Sequence, residues 1–112
     1  MTPLLTPSKE LALRILSEVD FDQRIEGFRL RERAGVIPTR MYSFSEVVSF
    51  LSDSFPKIDF KALAHWVLYV MKDPELSEKI SAEAASDASD MEKTRRIRDM
   101  MGIRLVQSKK IT

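Results

Sequence analysis

Apolar residues recur along most of this chain at intervals of three and four, the signature of one buried helical face. Leu11, Ala12, Ile15, Leu16 and Val19 form the first stripe, and Thr6-Pro7 ahead of it supplies a capping hydroxyl and a proline at the first helical position. The phase breaks at Asp20. Phe21, Ile25, Phe28 and Leu30 begin a second stripe, which predicts a second helix opened by Asp20 and Gln23 as a capping box and closed by Gly35. Pro38 makes residues 36–42 an extended connection. Ser43 and Glu46 stand at capping-box spacing before Val47, Val48, Phe50 and Leu51, a third helix that Pro56 stops.

Residues 59–71 are the most apolar run and hold the only Trp and the only His. Phe60, Leu63, Ala64, Trp66, Val67, Leu68, Val70 and Met71 cover more than half of a helical wheel, leaving Lys61, His65, Tyr69 and Lys72 as a narrow polar strip. Such a helix needs neighbours on most sides, so it is expected to be central. Asp73-Pro74 begins a fifth helix with a thin stripe (Leu76, Ile80, Ala84), expected on the surface. Ser89 and Glu92 open a sixth, with Met91, Ile97, Met100 and Met101 as its apolar contacts and Gly102 as its end. The β-like composition of residues 103–107 suggests pairing with residues 36–42. The expected fold is all-α: a compact bundle of five or six short helices around a central apolar helix at 59–72, with at most a minor two-stranded β patch. One domain over residues 1–108 is followed by a frayed tail at 109–112.

At 112 residues, 44% hydrophobic and 31% charged, the chain suffices for one core without disulfides or metals. The absence of cysteine excludes disulfides, thiolate zinc sites and cysteine nucleophiles. No leader pattern or membrane-spanning run is visible, and the expected location is cytoplasmic. Charge is uneven. Residues 1–50 balance, residues 51–90 carry −4 and residues 91–112 carry +5, within a total of +1.

Candidate chemistry is sparse. His65 shares a helix face with Lys61 and Tyr69 but lacks a helpfully spaced acid, so a partly buried structural histidine outweighs a general base there. Three glycines form no phosphate loop, and no serine lies in a nucleophile elbow. Hence no catalytic residue, metal or cofactor is expected. Two surface readings remain. A Met/Arg helix face formed by Met91, Arg95, Arg96, Arg98, Met100, Met101 and Arg104 would bind a protein partner or a second copy of the chain. Alternatively Arg29, Arg33, Lys93, Arg95, Arg96, Arg98 and Arg104 would serve a nucleic-acid-binding regulator that uses helix 90–101 and the basic tail. The pI of about 8.0 is modest for a nucleic-acid binder, and the leading expectation is a non-enzymatic, self-associating protein-contact module.

Overall fold

The computed structural model describes residues 4–31, 35–53 and 56–112. Its elements are α1 (Lys9–Ile15), a 3₁₀ turn (Phe21–Gln23), β1 (Ile25–Arg31), β2 (Gly35–Met41), α2 (Phe44–Leu51), β3 (Pro56–Lys57), α3 (Phe60–Tyr69), α4 (Pro74–Ala84) and α5 (Asp90–Ile111). Three antiparallel strands in the order β2-β1-β3 overturn the all-α expectation. The fold is mixed, with five α-helices and one small sheet among the described residues.

The expected second helix is the centre of that sheet. Ile25 and Gly27 turn inward and Glu26 and Phe28 outward, the two-residue alternation of a strand. Gly27 has to be glycine. A Cβ there would stand 2.5 Å from Cζ of Phe50, whose ring packs directly on the strand. Gly35 does adopt the left-handed conformation that suggested a helix cap (φ +73°), but it does so at the start of β2. Residues 36–41 therefore pair with β1, from Leu30↔Val36 to Ile25↔Met41, and residues 103–107 pair with nothing, because they lie within α5.

Four helix starts follow the spacing of their caps. Ser43 Oγ accepts from Glu46 N–H at 3.2 Å, Asp59 from Lys61 at 2.9 Å, Asp73 from Leu76 at 3.1 Å and Ser89 from Glu92 at 3.2 Å. The first helix begins two residues later than Thr6-Pro7 implied, capped by Ser8. No side-chain cap opens the 3₁₀ turn after Asp20.

The centre is not where the sequence put it. On α3 only Leu63, Ala64, Trp66 and Val67 are buried, while Tyr69 is exposed. Trp66 reaches back to the 3₁₀ turn, its Nε1–H donating to the Gln23 carbonyl at 2.8 Å. The helix that joins the layers is α5, which packs against α1, α2 and α4 and buries Ile97, Met100 and Met101. It runs through Gly102 to Ile111, past both the expected stop and the start of the expected frayed tail. Nor is α4 superficial: Leu76, Ser77, Ile80 and Glu83 are buried, and Ser77 Oγ donates to the Ala64 carbonyl at 2.7 Å, tying α4 to α3.

Candidate functional site

The sixth-helix residues singled out from the sequence divide into three groups. Met100 and Met101 lie in the core beside Ile97. Arg104 is 1% exposed and sits at the centre of a polar clasp. Its Nε–H donates to Asp73 Oδ2 at 2.8 Å and Nη2–H to Glu75 Oε1 at 2.7 Å and, more loosely, Asp73 Oδ1 at 3.5 Å. Nη1–H donates to the Leu5 carbonyl at 2.7 Å and to Gln107 Oε1 at 3.0 Å. All five guanidinium hydrogens are thus used, which is the condition under which a buried arginine is tolerated. Glu75 also accepts from Leu5 N–H at 3.0 Å, so the clasp holds the segment before α1 against α5. Burial pushes the Glu75 carboxyl up, but the Leu5 N–H and the hydrogen bond and charge of Arg104, with Lys79, outweigh it and hold it below its ordinary value of 4.5.

The second group is turned toward acceptors of this same chain. Arg96 bridges Glu83 at 3.0 Å and Glu92 at 3.3 Å, and Lys93 donates to the Ala84 carbonyl at 2.8 Å. The contacts to Glu83 and Ala84 knit α5 to α4. Arg29, on β1, pairs with Asp53 at 2.9 Å and lies over the Phe50 ring. Arg33 lies outside the described residues. The arginines assigned to nucleic acid therefore do not gather on one face: Arg104 is interior and Arg96 faces α4.

The third group, Met91, Arg95 and Arg98, lines one wall of a groove of about 740 Å³. Its opposite wall comes from the sheet and the start of α3: Phe28, Pro56, Lys57, Ile58 and Phe60, with Leu51 at the end of α2 beneath. Local rules put these side chains there. The outward register of β1 exposes Phe28, and the Asp59 cap sets Ile58 and Phe60 on either side of the helix start. Met91, 78% exposed in the first turn of α5, stands at the mouth. Charge lies on the rim, with Asp53, Asp59 and Asp90 among Lys57, Arg95 and Arg98. Arg95 pairs with Glu92 at 2.8 Å and Arg98 with Asp99 at 3.1 Å, both exposed pairs that contribute little to stability.

Met91, Arg95 and Arg98 belong to the face expected from the sequence to meet a partner, whereas the residues of the opposite wall do not. Phe28 and Phe60 stand on helical stripes in the sequence, and only the place of Phe28 on β1, where the strand turns it outward, separates it from the core. His65 and Tyr69 lie elsewhere. Their rings lie tilted against each other, 4.4 Å between centroids, on the exposed face of α3, and neither lines the groove. Among the described residues no cluster of three or more His, Cys, Asp or Glu side chains has metal-binding geometry. No helix among them is long and apolar enough to cross a membrane.

The chain matches no protein-family model, and comparison with curated proteins and with solved structures also gives no match.

Proposed function

We propose that this chain is a non-enzymatic binding module whose groove, between the sheet and the first turns of α5, receives an apolar segment of a partner protein. The observation that carries the reading is the groove itself: about 740 Å³, floored by apolar side chains and rimmed by charge, with a large thioether held in water at its mouth. Flexible methionines suit surfaces that adapt to a partner, and an apolar centre with a polar rim is the usual anatomy of a protein interface. The groove's polar groups favour binding over catalysis. Asp59 caps its own helix, and Arg95, Arg98 and Asp53 each engage a side chain of opposite charge. We place this activity in the cytoplasm, a compartment whose reducing conditions suit a cysteine-free sequence.

The test is titration with the neutral fluorophore Nile red, comparing Met91→Lys with Ile103→Lys. Both residues are exposed and apolar on the same helix, but only Met91 lines the groove. The expected result is dye binding that Met91→Lys weakens and Ile103→Lys leaves unchanged. Absence of binding, or equal loss in both variants, rejects the groove as the site.

A further inference from the structure

Along α5, Asp90, Thr94 and Arg98 follow one another at four-residue intervals and all three line the groove. Residues at that spacing form one ridge on a helix surface. The ridge carries an acid at its first position, a hydroxyl in the middle and a base at its last. Asp90 makes no ion pair among the described residues, and the only carboxylate on Arg98 is that of Asp99, its neighbour in sequence. Met91 and Arg95 make the adjacent ridge, with Met91 projecting into solvent.

A ridge of this pattern is complementary to itself turned end for end. We infer that the groove's occupant is a second copy of this chain, the two α5 segments crossing antiparallel about a two-fold axis at Thr94, with Met91 of each seated in the groove of the other. Asp90 then faces the partner's Arg98, and Arg98 the partner's Asp90, so one contact is made twice, as an isologous interface requires. A parallel arrangement sets Asp90 against Asp90 and Arg98 against Arg98, and like charges brought together across an interface repel. Charge therefore selects both the occupant and its direction. Met91 provides the apolar insertion, displacing water from the floor beside Phe28 and Phe60. The inference rests on the groove reading above and adds the identity and orientation of what fills it.

Sedimentation equilibrium of the full chain over a range of concentrations is the test, with circular dichroism to confirm that each variant stays folded. Asp90→Arg places like charge opposite Arg98 twice and is expected to weaken the dimer by about tenfold or more. Adding Arg98→Asp restores the attraction with its sign reversed, and the double variant is expected to dimerise again. Thr94→Cys places the chain's only thiol on the axis, where oxidation links the two copies. A dimer indifferent to both charge reversals overturns the inference, as does a monomer at every concentration. In a monomer, Nile red separates the two readings. Dye binding that depends on Met91 leaves the groove reading standing and removes self-association; no such binding removes both.

Discussion

The two ends of α5 hold arginines in opposite circumstances. Near its C-terminus Arg104 is enclosed, and five acceptors on two other segments and its own helix take every hydrogen it offers. Near its N-terminus Arg95 is half in water, with one carboxylate a turn away on the same helix. One guanidinium organises the fold and the other decorates an opening. The difference lies in the surroundings: a charge is structural where it has been desolvated and must be matched, and available where water still solvates it.

That contrast can be broken most directly at Arg104. Arg104→Ala leaves Asp73 buried without its counter-charge and is expected to cost about 3–5 kcal/mol in urea unfolding, while Nile red binding to the folded fraction is unchanged. Arg104→Lys recovers part of the loss, since an ammonium reaches fewer of the five acceptors. Acid provides a gentler route. The folded pKa of Glu75 lies below 4.5, so the folded chain binds fewer protons than the unfolded one across that window and stability rises with pH. The contribution of Glu75 is complete above the unfolded value and is lost as pH falls through the lowered one. Wild type should therefore exceed Glu75→Gln in stability at pH 7, with the gap closing below about pH 4.5 in thermal melts.

Between the two ends stands Gly102. A Cβ there meets nothing within 4 Å, so Gly102→Ala adds helix propensity without a clash and should stabilise by about 0.5–1 kcal/mol. At the open end, Arg95→Ala is expected to change stability by no more than about 0.5 kcal/mol. An Arg95→Ala cost comparable to that of Arg104→Ala would erase the distinction between the two ends.

What was legible in the sequence is local chemistry. The caps at Ser43, Asp59, Asp73 and Ser89 depend on residues three or fewer positions away, and all four helix starts appear where their spacing puts them. The β1–β2 pair was hidden because its inward positions after Ile25 are Gly27 and Arg29, neither of which is an aliphatic core residue. An alternating pattern therefore never appeared, and Ile25 with Phe28 imitated a helical stripe. Gly102 misled for a related reason: glycine resembles a terminator, yet packing of Met100, Met101 and Arg104 on either side carries the helix through it. The candidate site was half visible. Its α5 wall lies within one segment, whereas the facing wall exists only after the hairpin, the α2–α3 connection and α5 have come together. The fate of Arg104 was equally closed to inspection, since its acceptors Asp73 and Glu75 lie on another helix.

The clasp also bears on when the chain can become native during synthesis. Asp73 is 1% exposed once folded, and the charge that permits this arrives with Arg104, 31 positions later. The Leu5 carbonyl waits for the same guanidinium across 99 positions. A nascent chain that has completed α4 but not α5 can form helices and pair strands, but it holds an aspartate that cannot be taken out of water alone. Its final closure is therefore deferred until Arg104 has been added, and a chain stopped just short of Arg104 should remain loose and sensitive to protease.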